Sequence, residues 1–435
     1  LFVSIDKLVE DGLLPSDVLD AAPAESATAD FAAAQAYKWP LFERALQSLR
    51  AGQSEASMRL LREFAAYVEA ERSWLDDYAL FMALESAHDG APWWQWPAPL
   101  RRRDAAALAR ARRKHAVEIR FWQFVQWCFD TQWAALKAHA NERGVYLMGD
   151  LPIFVAHHSA DCWARPDLYT LDEDFQPTVV AGVPPDDLGP MGQRWGNPMY
   201  RWDRMADEGW AWWTARVQRM LHQADAFRID HFRGFAGYYE IPASSPDART
   251  GRWLPGPGKP LFDAISAALG DLPIIAEDLG FITPDVHALR QALAYPGMKI
   301  LQFAFGGDGE HEFLPHTYER ATVVYTGTHD NDTTIGWWAS LTDAQRARVR
   351  DYLGSDGSEI HWDLIRAASA SVADTVVHPM QDVLGLGGEH RMNLPGKGEG
   401  YWEWRFEWSQ VRPEHAQRLA HLTRLFRRDG TPLQG

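Results

Sequence analysis

The feature that most constrains the fold is an alternation that begins at Val145, where short apolar runs are followed by polar residues and longer helical stretches. The runs are "VYLMGDLPIFV" (145–155), "AFRIDHF" (226–232), "LPIIAEDLG" (272–280), "MKILQFAF" (298–305), "ATVVYTGTHDN" (321–331) and "SVADTVVHPMQDVLG" (371–385). Strands that alternate with helices predict a parallel sheet with right-handed crossovers. Acidic residues follow several runs, where such sheets bind ligands, so the pattern favours a (β/α)8 TIM barrel enzyme.

A doubly wound sheet is the other α/β architecture with this alternation. Its strand-to-helix turn would need a glycine-rich phosphate fingerprint. The nearest candidate is "GLGGEH" (385–390), in which His390 stands where the last glycine belongs. The sequence therefore disfavours a doubly wound sheet.

Two stretches outside the predicted strands differ from them in apolar spacing and aromatic content. Residues 1–140 show helical apolar spacing, so we predict a mainly helical subdomain there. Residues from about 157 to 202 form a long aromatic segment, and we predict a functional loop insertion, as is usual for loops of this length. His157 and His158 lie in this segment, but a third ligand is missing from the pattern, so we predict no metal site.

The composition limits the partners and the compartment. The 435 residues include 43 Lys and Arg and 59 Asp and Glu. The resulting net charge of −16 argues against nucleic acid or an anionic membrane as partner. Cys128 and Cys162 cannot build a disulfide framework, so we expect a cytoplasmic protein. The 21 tryptophans include clusters beside polar groups, a composition that suits the flat faces of sugar rings.

Charged residues interrupt the apolar run "FRIDHFRGF" (227–235). In a strand, Arg228 and Asp230 point to one face while Phe227 and Ile229 point to the other. The pair is consistent with a buried ion pair that braces a core strand. It is equally consistent with a carboxylate that its neighbouring guanidinium keeps ionised for nucleophilic attack.

Further carboxylates at strand ends indicate glycosidic-bond chemistry. Such enzymes use one carboxylate as the nucleophile and a second carboxyl group as the proton donor. Asp230 suits the nucleophile, and Glu277 follows the apolar residues "LPIIA", where desolvation would raise its pKa and keep it protonated. Asp330 follows His329, a pair suited to binding adjacent sugar hydroxyls. Helix capping or ion pairing would explain each acid singly but is a poor explanation of all three.

These motifs resemble those of a known family. "FRIDHFRG", "IIAEDLG" and "TGTHDN" resemble the active-site blocks of the α-amylase clan, while "GDLPIFVAHHSADCWA", "GRWLPGPGKPLFDAI" and "PGMKILQFAF" resemble glycoside hydrolase family seventy-seven, the 4-α-glucanotransferases. The resemblance implies that Asp230 is the nucleophile, Glu277 the acid/base and Asp330 the stabiliser of the transition state. It implies substrate-binding roles for Arg228, His329, Asp150, Gln193, Trp195, Asn393 and Pro395.

The resemblance also implies the reaction. We expect transfer of α-1,4-glucan segments from maltooligosaccharides to glucose or to another α-1,4-glucan, by a retaining double displacement without a cofactor. An α-glucan hydrolase of the same clan and a non-catalytic glucan-binding protein are the alternatives.

The sequence departs from the family pattern in two places. Asp187 and Leu188 stand where many relatives carry an aromatic pair in the substrate loop, which affects how the glucan is held. The family's first two barrel strands have no counterpart in the sequence. We therefore expect residues 145–435 to supply strands three to eight, with 1–140 leading into the third strand and the two missing strands lying upstream.

Overall fold

The computed structural model describes residues 1–24, 26–52, 54–185, 190–305 and 311–430. The chain divides into two compact units. The first unit comprises Leu1–Ala24 and Phe31–Pro273, and the second comprises Glu25–Asp30 and Ile274–Gly435. The boundary predicted near residue 140 falls inside the first unit, and the insertion of a helical subdomain at that point stays a prediction.

Helices account for the N-terminal part of the first unit. They are α1 (Ile5–Glu10), α2 (Phe31–Ala51), α3 (Glu55–Ala70), α4 (Arg72–Ala87), α5 (Ala98–Arg101), α6 (Ala105–Lys114) and α7 (Ala116–Asn141). Ser54 caps the N-terminus of α3 in a capping box, in which its hydroxyl accepts from the Ser57 N–H. Phe42 from α2, Phe64 from α3 and Phe124 from α7 are fully buried, so these three helices share one aromatic core.

The rest of the first unit alternates strands and helices. Its strands are β1 (Met148–Leu151), β2 (Val179–Val183), β3 (Gln193–Pro198), β4 (Ala226–Ile229), β5 (Gly237–Pro242) and β6 (Arg252–Pro255). Its helices are α8 (Ala160–Ala164), α9 (Trp202–Asp207), α10 (Ala211–Gln223), α11 (Arg233–Ala236) and α12 (Lys259–Leu269). β1 and β4 pair in parallel, with Asp150 in register with Arg228.

A second, antiparallel sheet in this unit was not predicted from the sequence. Its strand order is β3-β2-β5-β6. β2 and β3 lie in the predicted loop insertion, but β5 and β6 follow the Asp230 motif, so the sheet joins two distant stretches of chain. The insertion is thereby fixed to a strand outside itself, through pairs such as Val180 with Ile241.

The second unit continues the parallel strand–helix alternation. Its strands are β7 (Ile274–Ala276), β8 (Gly297–Ile300), β9 (Thr322–Tyr325) and β10 (Thr375–Val377). Its helices are α13 (Pro284–Ala292), α14 (Thr334–Ser340), α15 (Asp343–Leu353), α16 (Ile360–Ala370), α17 (Met380–Leu384) and α18 (Pro413–Leu425). β8, β9 and β10 form a parallel sheet in the order β10-β9-β8. Leu301, Val324 and Leu364 are fully buried between this sheet and its helices.

Each predicted apolar run overlaps one of the strands β1, β4, β7, β8, β9 and β10. The α/β class with helical connections is therefore confirmed. Closure into an eight-stranded barrel stays a prediction.

Candidate active site

Arg228 is the centre of a carboxylate cluster in the first unit. Its Nε and Nη2 donate to Oδ1 and Oδ2 of Asp150 over 2.9 and 2.7 Å, and Nη2 also donates to Oδ1 of Asp230 over 2.9 Å. Parallel pairing of β1 with β4 sets this geometry, because residues in register project to the same face. On the other face Phe227 and Ile229 are buried, as the alternation predicts. The guanidinium side chain is only 11% exposed, whereas each carboxylate is 45% exposed.

The chain turns sharply directly after Asp230. The Asp230 N–H donates to the Leu151 carbonyl, and His231 then adopts a left-handed conformation with φ of 53°. Burial, followed by the nearby charge of Arg233, lowers the pKa of His231 to about 3. His231 is therefore neutral at pH 7, and its ring meets Trp195 edge to face with centroids 4.8 Å apart.

The two residues predicted on the substrate loop lie together on β3. The indole Nε1 of Trp195 donates to Oε1 of Gln193 over 3.0 Å, and the Trp195 side chain is partly exposed. Asn197, at the end of the same strand, donates from Nδ2 to the Val155 carbonyl beyond β1. Trp195 and its partner Gln193 therefore lie beside the Asp230 cluster, because the Trp195 ring contacts His231, the residue that follows Asp230.

Glu277 follows β7 in the second unit, as predicted. Its Oε1 accepts a hydrogen bond from the Leu279 N–H over 2.8 Å. The next residue, Asp278, is buried and accepts from the Met298 N–H over 2.7 Å, while Arg290 pairs with it over 3.1 Å. Burial raises the pKa of Asp278, an effect that the Met298 N–H and Arg290 oppose. Asp278 thus ties the segment that carries Glu277 to β8. The raised pKa expected for Glu277 stays a prediction.

Asp330 lies in the loop after β9, beside His329 and Asn393. Asn393 Nδ2 donates to Asp330 Oδ1 over 2.6 Å, and the Asn393 N–H donates to the His329 carbonyl. Arg391 donates to the Asp330 carbonyl over 2.6 Å. The ring of Trp402 lies 5.1 Å from that of His329. A carboxylate, an imidazole and an exposed indole therefore converge within the second unit.

A buried carboxylate fixes the ends of this loop. Asp382, which is 1% exposed, accepts from the hydroxyls of Thr326 and Thr334 and from the Thr334 N–H. Thr326 directly follows β9 and Thr334 begins α14. The loop that carries His329 and Asp330 is thus held at both ends by one side chain.

The structure brings the predicted residues together in separate clusters within each unit. In the first unit these are Asp150, Arg228 and Asp230, with Gln193 and Trp195 linked to them through His231. In the second unit they are His329, Asp330 and Asn393, while Glu277 is held at the end of β7. Pro395 is exposed. Asp187 and Leu188 lie outside the described residues.

His157 and His158 anchor the loop before α5. The ring of His157 stacks on Trp94 at 3.8 Å, while His158 accepts from the Trp93 N–H and pairs with Glu85 over 3.0 Å. In the part of the chain that the structure describes, no three His, Cys, Asp or Glu side chains form a group that could hold a metal ion.

Sequence reasoning missed several supporting residues. Arg391 lies two residues before the predicted Asn393, in the sequence "RMN" (391–393), so this proximity in sequence was the signal for it. Asp382 was missed because its partners, Thr326 and Thr334, are about 50 residues away. Trp402 was not missed in the same way, because it lies in "GYWEWRFEW" (400–408), one of the tryptophan clusters that suit sugar rings; only its position beside His329 depends on tertiary structure.

Comparison with solved structures identifies the class of protein. The chain is similar to an amylomaltase from Streptococcus agalactiae in complex with acarbose, with a TM-score of 0.92, 34% identity and coverage of 98% of this chain and 86% of that one. It shares its fold with an amylomaltase from Corynebacterium glutamicum, with a TM-score of 0.72, 19% identity and coverage of 97% and 65%. The fold is thus that of an α/β carbohydrate-active enzyme.

Comparison of sequences identifies the family. A model described as Glyco_hydro_77, 4-alpha-glucanotransferase, matches residues 1–410. A 4-alpha-glucanotransferase of Thermus thermophilus is 49% identical over 90% of this chain and 79% of its own length. One of Synechocystis is 45% identical over 98% of this chain and 85% of its own length. The chain belongs to glycoside hydrolase family 77, the 4-α-glucanotransferases.

Proposed function

We propose that the chain transfers α-1,4-glucan segments to glucose or to another α-1,4-glucan, with retention of the α configuration. Glu277 donates a proton to the glycosidic oxygen while the Asp230 carboxylate attacks the anomeric carbon, so that the C–O bond breaks and a β-linked glycosyl-enzyme forms. Glu277 then accepts the proton of the acceptor's 4-hydroxyl, whose oxygen attacks the anomeric carbon and releases Asp230.

The observation that carries the proposal is the guanidinium shared between Asp150 and Asp230. A nucleophilic carboxylate must be ionised and correctly oriented, and a charge-assisted hydrogen bond from a mostly buried guanidinium favours both conditions. Arg228 donates to Asp230 from the same Nη2 that Asp150 holds. The orientation of Asp230 therefore depends on the strand pairing rather than on a flexible side chain alone.

The remaining site residues bind substrate in this proposal. Asp330 and His329 bind adjacent sugar hydroxyls and stabilise the oxocarbenium-like transition state, and Asn393 orients Asp330 through its hydrogen bond. Trp195 offers an indole face to a glucose ring. Asp150 and Arg228 belong to the donor site, Gln193 to the substrate loop and Pro395 to the loop that carries Asn393.

The proposed donors are maltooligosaccharides and longer α-1,4-glucans, with glucose as an acceptor. Carboxylates and the sugar's own leaving group supply the chemistry, so the proposal includes no cofactor or metal. None of the helices in the described ranges is long and apolar enough to cross a membrane. We propose the cytoplasm as the compartment, since Cys128 and Cys162 are both free and buried, and fractionation of the source cells would test this.

Incubation with maltotriose tests the function. We expect glucose and a ladder of longer maltooligosaccharides, while the number of reducing ends stays nearly constant. The Asp230→Asn variant is the matched control, and it should leave maltotriose unchanged. A steady rise in reducing ends without longer products would identify a hydrolase, and binding without any product would identify a glucan-binding protein. Either outcome would overturn the proposal.

A further inference from the structure

A strip of aromatic side chains in the second unit has no role in the chemistry above. We define the aromatic strip as Trp402, Trp404, Phe406 and Trp408. In an extended chain alternate side chains share a face, which brings the last three rings into succession. The ring centroids of Trp404 and Phe406 lie 5.8 Å apart, and those of Phe406 and Trp408 lie 5.4 Å apart. Three rings of the strip, Trp404, Phe406 and Trp408, thus form one aromatic surface, and Trp402 lies two residues before them.

The middle of the strip is held firmly while its far end faces solvent. The backbone of Trp404 forms an isolated antiparallel β-bridge with Thr28, and the Trp404 Nε1 donates to Nδ1 of His390 over 3.2 Å. Trp408 is 80% exposed and Trp402 is 52% exposed. An exposed indole at the end of an ordered aromatic surface indicates a binding site rather than core packing.

The strip begins at the candidate active site. The Trp402 N–H donates to the Met392 carbonyl, next to Asn393, and the Trp402 ring contacts His329. From Trp402 to Trp408 the chain has six residue steps, so the strip extends at most about 20 Å from that point. The strip therefore starts beside His329, which is proposed to bind the reacting sugar, and lies within reach of the same glucan chain.

We propose that the aromatic strip binds the distal part of a long α-1,4-glucan while the reacting part occupies the active site. The proposal rests on the proposed function. Indole and phenyl faces match the apolar faces of glucose rings, and the exposed Arg405 and Glu407 between them supply hydrogen-bonding groups for sugar hydroxyls. Continuity with His329 favours a glucan over a protein partner or a second copy of the chain.

Comparison of long and short donors tests the proposal. Trp408→Ala should raise the KM for amylose roughly five- to tenfold, because one stacking surface is lost, while the kinetics with maltotriose stay unchanged. Trp408→Phe should restore most of the amylose affinity. Tyr146→Ala is the matched control, since Tyr146 is 73% exposed and lies in the first unit, outside the strip. It should change neither substrate's kinetics.

Two results would overturn the proposal. The first is an unchanged amylose KM in Trp408→Ala, or an equal change for amylose and maltotriose. The second is a change of oligomeric state in Trp408→Ala on size-exclusion chromatography, which would assign the strip to a second copy of the chain. Failure of the proposed function is a separate outcome, because the wild-type chain would then make no ladder from maltotriose.

Discussion

Arg228 shows how one side chain links structure to chemistry. Its planar guanidinium forms a fork on Asp150 and also donates to Asp230, a geometry that requires donors fixed in one plane. A lysine ammonium would keep the charge but could not hold both carboxylates in these orientations. The strand pairing places Asp150 beside Arg228, and Asp150 orients the guanidinium that donates to Asp230.

Arg228→Lys should therefore lower kcat/KM roughly 10- to 100-fold on maltotriose, as expected when a charge-assisted hydrogen bond is lost. Steady-state kinetics would measure the effect. Arg249→Lys is the control, because Arg249 pairs with Asp247 at an exposed position and should keep full activity. Full activity in Arg228→Lys would show that the fork is not needed.

Asp230 and Glu277, the two carboxylates proposed as catalytic, should differ in their response to the leaving group. Fluoride leaves from α-glucosyl fluoride with little acid assistance, so Glu277→Gln should keep measurable release of fluoride from this substrate. Asp230→Asn should release none, since no other group forms the covalent bond. Fluoride release is measured directly with an ion-selective electrode. An equal loss of fluoride release in both variants would contradict the proposed roles.

The sequence predicts catalytic roles for Asp230, Glu277 and Asp330 because each follows an apolar run, which is a local signal. Those roles stay predictions, whereas the side chains that support these residues have no such local signal. Arg228 with Asp230 left two interpretations, and the structure adds Asp150 as a shared partner. Asp382 could not be found locally, because it binds the loop of Asp330 from a distant helix.

At the scale of elements, β2 and β3 determine where Trp195 lies. A Cβ atom at Gly182 on β2 would overlap the Gln193 carbonyl oxygen on β3 and approach Ile241 Cδ1 to 2.5 Å. The two strands can approach this closely only because residue 182 has no side chain.

Gly182→Ala should therefore push β3 away, destabilise the protein by about 1–3 kcal/mol and lower activity more than tenfold by displacing Gln193 and Trp195. Urea unfolding and kinetics on maltotriose measure the two effects. Gly398→Ala is the control, since a Cβ there meets nothing within 4 Å. Wild-type stability and activity in Gly182→Ala would show that the strand contact is not needed.

The parallel strands were predictable and the antiparallel sheet was not. Buried parallel strands form continuous apolar runs, as "LPIIA" and "ATVVY" do, and these stand out in the sequence. β2 and β5 are joined across about 60 residues, and their sequences "VVAGV" and "GYYEIP" carry no turn signal that would pair them. Pairing between distant strands depends on tertiary packing.

At the scale of the whole molecule, two histidines with lowered pKa values should make the protein sensitive to acid. Burial, followed by the charge of Arg428, lowers the pKa of His378 to about 4 from its usual 6.5. Between these values the unfolded chain binds a proton that the folded chain does not, so the free energy of unfolding falls as the pH falls. His231 acts in the same direction.

His378→Gln should remove part of this sensitivity. Between pH 7 and pH 5 the wild type should lose roughly 1–2 kcal/mol more stability than the variant. Urea unfolding at the two pH values measures the difference. His421→Gln is the control, since His421 is exposed and should leave the wild-type dependence intact. Equal pH dependence in wild type and His378→Gln would contradict the account.

The account depends most on a covalent bond between Asp230 and the transferred sugar. The most direct measurement is mass spectrometry of the Glu277→Gln variant after brief incubation with α-maltosyl fluoride, since this variant forms the intermediate but lacks the base that would release it. We expect an intact mass increased by one maltosyl unit and, after digestion at low pH, the added mass on the peptide that contains Asp230. An adduct on any other residue, or fluoride release without an adduct, would contradict the mechanism.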